Sequence, residues 1–217
     1  MNEFCQDRDL LGIEPGLFLT AGSTGSRLIA GSDGQLSGTT FTSATGDFLA
    51  AGVETGMVLT VSATVPSEGS AHEIVAVGGA GELTVSVLRA SVDDAPIAPA
   101  AGEELSFCVL TYKPQIRRVC DALSEKLRAM VEATGVTSEG HVDSAQLRLA
   151  AAYGTLATVF LARAESPNPG DAHWAKAERY HQEFARMQMQ LRLVVDADGD
   201  GLAEQTRTLG NVTLRRT

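Results

Sequence analysis

Near Tyr112 the repeat of apolar residues changes from every second position to every third or fourth. That switch constrains this chain of 217 residues more than any other feature. Before it, short runs alternate in β-branched residues: FTSATGDFLAAGV, MVLTVSATV, HEIVAVGG, ELTVSVLRAS and ELSFCVLTY. Val58, Thr60 and Ser62 alternate with Leu59, Val61 and Ala63, and Leu83, Val85 and Val87 with Thr84, Ser86 and Leu88. Period two with glycine-rich gaps predicts antiparallel strands, five or six of them, enough for a small barrel or sandwich. Gly78-Gly79-Ala80-Gly81 marks a turn between two strands. The stretch from Asp93 to Glu104 is a surface loop, because Pro96 and Pro99 cannot serve a central ladder.

After Lys113-Pro114 the period is helical. Ile116, Val119, Cys120, Leu123, Leu127, Met130 and Val131 form one stripe, ended by Gly135. A second helix starts at Asp143 or Ser144, with Leu149, Tyr153, Leu156 and Phe160 as its stripe, and stops before Ser166-Pro167-Asn168-Pro169-Gly170. Asp171 caps a third, whose stripe runs through Tyr180, Phe184, Met187, Leu191 and Val194. Short connections between the three predict antiparallel neighbours. The expected fold is therefore α+β: a three- to four-helix bundle with an inserted small antiparallel β-barrel or sandwich and an extended C-terminal tail. The expected boundaries are 1–19 for an N-terminal helical turn packing on the bundle, 20–111 for the β-module, 112–200 for the bundle and 201–217 for the tail.

Charge divides at the same place as periodicity. From Thr20 to Thr111 two basic residues face ten acidic ones, whereas fourteen basic and thirteen acidic residues follow Tyr112. An acidic field of this size argues against gripping phosphate, which needs Lys and Arg, and suits a surface that nucleic acid passes without sticking. No run of 18 apolar residues predicts a membrane span, and the acidic N-terminus lacks the plan of a signal peptide, so the expected place is the cytoplasm or a particle assembled there. Cys5, Cys108 and Cys120 form no CxxC pair and read as buried free thiols, with Cys120 on a buried helical stripe and so not a nucleophile.

Chemistry is sparse. His173 and His181 lie two turns apart on one helix and need a third ligand to hold a metal, Glu183 being on another face. AGSTGS, from Ala21 to Ser26, is a linker by composition and lacks the Lys of a phosphate-binding loop. Lys113, Arg117, Arg118, Lys126 and Arg128 interleave with Asp121, Glu125 and Glu132, the pattern of a solvated helix face. No cluster predicts catalysis, and the chain reads as a non-enzyme.

One motif stands out. VVDADGDGLAEQ sets Asp196, Asp198, Asp200 and Gly201 at the spacing that opens an EF-hand loop. Arg207 occupies the place of the bidentate Glu, which excludes a true EF-hand, while Glu204 is available to a looser calcium site. The alternative is a helix end closed by Asx-type hydrogen bonds and two glycines.

The order of parts, DLLGIEPGLF, then helices, then DADGDGLAEQTRTL leading into a tail, resembles the head-to-tail adaptor (connector, neck) proteins of tailed bacteriophages and related gene transfer agents. The stretch TSATGDFLAAGVETGMVLTV, through HEIVAVGGAGELTVSVLRAS to PQI, looks like a β-module inserted in some of them. The resemblance implies a structural virion protein at the head–tail interface. It implies a homo-oligomeric ring, a dodecamer, between the portal protein and a stopper or tail-tube/tail-terminator protein, with DNA passing through unbound and no membrane involved. It also implies a tail that clamps a neighbour, with Asn211, Val212, Leu214, Arg215 and Arg216 as the contacting residues. Rival expectations are a stopper, tail-completion or capsid-decoration protein and, from another class, a calcium-dependent binding module; scarce aromatics disfavour a sugar-binding version of the last.

Overall fold

The computed structural model describes residues 3–19, 25–62, 69–134, 141–142, 144–195 and 205–208. The chain divides into two compact units, Gln6–Lys113 on one hand and Met1–Cys5 with Pro114–Thr217 on the other.

The first unit is a closed barrel. Its strands are β1 (Ser26–Ser37), β2 (Thr40–Thr42), β3 (Val58–Ser62), β4 (Ser70–Gly79), β5 (Glu82–Ser86) and β6 (Gly102–Thr111), in the order β1-β2-β5-β4-β3-β6. All pairings are antiparallel, and β1 closes the ring by pairing with both β2 and β6. Alternation does what it predicts: Leu59 and Val61 of β3, Leu83 and Val85 of β5, and Leu105, Phe107 and Val109 of β6 enter one interior core. At its centre Phe41, Phe48 and Phe107 meet edge-on or tilted, with centroids 5.1–6.1 Å apart.

Strand β1 is absent from the sequence expectation, because Gly31, Asp33 and Gly34 interrupt its alternation. The glycines are the reason it fits. A Cβ on Gly31 would sit 2.5 Å from the Phe107 ring, and one on Gly34 would sit 2.7 Å from the Phe41 ring. Aromatic rings cover the bare backbone, and register shifts beside both glycines bend the strand around the barrel.

Two helices belong to this unit, α1 (Asp7–Ile13) and α2 (Gly16–Leu19), and both lie against β3. Charged residues hold α1 in place. Buried Asp7 accepts from the Thr111 hydroxyl at 2.6 Å and the Tyr112 amide at 2.7 Å. Arg8 is also buried and joins Glu73 and Arg89 in an ionic triad. Glu73 lies 2.9 Å from Arg8 Nε and 2.6 Å from Arg89 Nε, with the first contact close in distance but not aligned as a hydrogen bond. Arg8 Nη2 donates to the Arg89 carbonyl, and Arg89 Nη1 donates to the carbonyls of Val92 and Asp94. Arg89 thereby ties down the proline-rich stretch, which carries an isolated bridge from Val87 to Ile97 before it enters β6 at Gly102.

The second unit contains α3 (Lys113–Thr134, whose first residue falls in the barrel unit), α4 (Ser144–Arg163) and α5 (Ala172–Gln190). It also holds a three-stranded antiparallel sheet of β7 (His141–Val142), β8 (Arg192–Val195) and β9 (Gln205–Thr208). Helix α4 is central: its most apolar 18-residue window has a mean hydropathy of 1.2, and 56% of that window is buried. Its buried residues run almost without break from Ala150 to Phe160, whereas Leu149, expected in the stripe, is exposed. Asp171 caps α5, accepting from the amides of His173 and Trp174.

The architecture corrects the expected fold. The molecule is not a helical bundle carrying a small inserted barrel. The barrel is a full unit with its own closed core, and the N-terminal helices pack on it because Asp7 and Arg8 are anchored there. Nor is the C-terminal part simply a tail after a long helix. Helix α5 ends at Gln190, where the Leu191 amide closes back onto the Met187 carbonyl. Val194 is thus a strand residue, not part of a helical stripe, and residues 205–208 pair with β8.

Candidate functional site

The helical unit carries an apolar cleft of about 540 Å³ walled by three helices. Helix α4 contributes Gly154, Ala157, Thr158 and Leu161, spaced so that they share one face. Helix α5 contributes Trp174, Ala177, Glu178, His181 and Phe184 at the same spacing, and α3 adds Arg118, Val119 and Ala122. Small residues make the depression. Gly154 is required at its floor, where an added Cβ would lie 2.8 Å from Val119 Cγ1 and 3.0 Å from the Phe184 ring. Thr158 donates its hydroxyl to the Gly154 carbonyl one turn back, at 3.0 Å. The rim is polar: Arg118, Glu178 and His181 are exposed, one cation, one anion and one imidazole. Leu161 stands at the edge, 53% exposed. Apolar walls with a mixed-charge rim suit an apolar side chain carried on another protein segment.

The sequence placed Phe184 in the core stripe of α5; here it lines the cleft instead. No signal in the sequence separated the two, since both positions ask for a large apolar residue at helical spacing. His173 and His181 do not converge. His173 stacks on Phe160 with centroids 5.9 Å apart, while His181 belongs to the cleft. Glu183 is held by Arg186 at 2.6 Å. Among the described residues no group of three or more His, Cys, Asp or Glu could hold a metal ion.

The proposed calcium ligands Asp196, Asp198, Asp200 and Glu204 lie outside the described residues. Their flanks are informative. The segment joins antiparallel β8 to β9, with Val195 opposite Gln205, so it connects two strands and does not close a helix. Arg207, at the place of the twelfth EF-hand ligand, sits in β9 opposite Leu193. Asn211, Val212, Leu214, Arg215 and Arg216 also lie outside the described residues.

The basic residues of α3 bond to neighbours. Arg117 reaches Glu3 at 3.2 Å, Lys126 reaches Gln188 at 2.8 Å and Arg128 reaches Glu125 at 2.9 Å. In the barrel unit the opposite holds. Arg8 and Arg89 are consumed inside by Glu73, while Asp47, Glu54, Glu82, Asp93, Asp94, Glu103 and Glu104 are exposed. Buried Arg8 and Arg89 are balanced by buried Glu73 and Asp7, so the unit's net negative charge is carried by its exposed carboxylates.

The thiols depart from the sequence expectation in two respects: Cys108 is only half-buried, and Cys120 has a thiol partner. Cys120 is buried, but the Cys5 thiol donates to it, and amides of Phe4 and Cys5 add to that donation. These donors make the Cys120 thiol more acidic, lowering its pKa to about 7 against the opposing effects of burial and Glu3. Nothing in the spacing of the two cysteines signals that they meet. Comparison with family models, curated proteins and solved structures gave no match.

Proposed function

We propose that this protein is a structural component of a tailed phage particle or gene transfer agent, a head-to-tail adaptor that assembles as a ring between portal and tail. The observation that carries the proposal is the apolar cleft across α3, α4 and α5, rimmed by Arg118, Glu178 and His181. A cleft of this shape receives an apolar knob from a neighbouring copy. Such head-to-tail contacts are heterologous, and they close into a ring when the rotation between copies divides a full turn. The acidic exterior of the barrel unit supports the second half of the reading. Phosphate is repelled from such a surface, so DNA passes it without being held. The resemblance in layout described above is the third support.

Native mass spectrometry of the chain, alone and mixed with the portal protein of the same genome, tests the proposal. A monomer that becomes a ring of portal symmetry supports it. A chain that ignores the portal overturns it in favour of a stopper or capsid-decoration role. Leu161→Glu, at the cleft edge, should abolish ring formation while leaving the melting temperature of the monomer unchanged, because Leu161 is already exposed.

A further inference from the structure

Cys5 and Cys120 are distant in sequence and adjacent in the fold. Both are buried, at 1% and 2% exposure. Three donors converge on Cys120 Sγ: the Phe4 amide at 3.4 Å, the Cys5 amide and the Cys5 thiol itself. Clustered N–H and S–H donors favour a thiolate, the form that attacks disulfides. The third cysteine has the opposite setting: burial pushes the Cys108 thiol up, offset only in part by Arg27. The position of the pair also matters. The chain leaves the helical unit directly after Cys5 and returns to it at Pro114. A bond from Cys5 to Cys120 would therefore close a covalent loop containing the whole barrel unit.

We propose that Cys5 and Cys120 form a reversible dithiol–disulfide site, a redox staple at the foot of the barrel unit's loop. The oxidant is a small disulfide such as oxidised glutathione. Cys120 Sγ attacks one sulfur of that disulfide; its S–S bond breaks and one glutathione leaves as thiolate, which takes up a proton. Cys5, as thiolate, then attacks Cys120 Sγ in the mixed disulfide, forms the intramolecular S–S bond and expels the second glutathione. Two protein thiols are oxidised and one glutathione disulfide is reduced to two glutathiones. Burial of both sulfurs slows the first attack without changing the balance.

The test uses the full chain under native conditions in a series of reduced-to-oxidised glutathione ratios. Samples are quenched in acid, denatured, alkylated with N-ethylmaleimide, digested and mapped by mass spectrometry. The expected product is a linked peptide containing Cys5 and Cys120, two hydrogens lighter than its parts, with Cys108 alone alkylated, and reversed by dithiothreitol. Alkylation of all three cysteines across the series would overturn the proposal, as would a bridge to Cys108 or glutathione retained on Cys120. The Cys5→Ser variant should trap glutathione on Cys120, because the resolving thiol is gone; an unmodified Cys120 there also counts against it. Should that variant fail to fold, the wild-type peptide map decides alone.

Discussion

Glu73 is the residue whose loss the barrel should feel most. It is 1% exposed and neutralises two guanidinium groups, those of Arg8 and Arg89, which are themselves buried. Glu73→Gln keeps the shape and removes the charge. Two uncompensated cations then remain inside, and an amide N–H₂ stands where a guanidinium needs an acceptor. Removing one partner of a buried pair costs about 3–5 kcal/mol. Solvent screening offers little relief, since none of the three side chains is more than 7% exposed. For a unit of roughly a hundred residues each kcal/mol lowers the melting temperature by about 4 °C or more, so a drop of at least about 12 °C is expected. The assay is urea denaturation combined with peptide-resolved hydrogen exchange, and the loss should concentrate in β4, α1 and the loop after β5, which the triad joins. Trp174, the only tryptophan, lies in the helical unit, so its fluorescence transition should move less. Replacing all three charges together, Arg8→Met with Glu73→Leu and Arg89→Met, should cost much less than Glu73→Gln alone. A single Glu73→Gln that costs under about 1 kcal/mol would refute the reasoning and mean that water reaches the triad.

Other outcomes follow from the same physics. Gly34→Val should destabilise the barrel by about 1–3 kcal/mol in urea melts, because a Cβ there collides with the Phe41 ring; a neutral effect would mean the ring can move away. His72 is buried at 7% exposure and its imidazole is held below the usual value of 6.5 by desolvation. The unfolded chain then binds a proton more readily than the folded one. Stability is full above pH 6.5 and is lost as pH falls toward the folded value, so melting temperature should decline on acidification through this window. The His72→Gln variant should show a flatter profile, and an identical one would remove His72 from the account. Deleting Asn211 to Thr217 should weaken ring assembly seen by native mass spectrometry without altering the monomer's melting; intact rings would reject those residues as contacts. Adding calcium should leave the native mass unchanged, since Arg207 puts a cation where an EF-hand loop carries its bidentate Glu; a calcium adduct would establish a looser site with Asp196, Asp198, Asp200 and Glu204 as ligands.

Much of this protein was legible without coordinates because it is encoded locally. Alternation in MVLTVSATV and ELTVSVLRAS, the stripe through Ile116 and Leu123, the cap at Asp171 and the Gly78–Gly81 turn each depend on a few neighbouring residues. Backbone geometry turns such patterns directly into strands, helices and turns. The cleft was half legible: its α4 and α5 residues recur at helical spacing, but the same spacing describes a core, and only packing shows that Phe184 and Leu161 face an opening. What the tertiary structure alone decided involves partners distant in the chain. Gly31 and Gly34 look like strand breakers until Phe107 and Phe41 cover them. Arg8, Glu73 and Arg89 look like surface charges until they meet in the barrel, and Asp7 does until it finds Thr111 and Tyr112. Val194 fits a helical stripe until β9 offers it a ladder. Cys5 and Cys120 look like two isolated thiols until the chain, having completed a whole barrel between them, brings them together. A residue's own side chain fixes what it can do, but which partner it finds depends on long-range contacts that no local window contains.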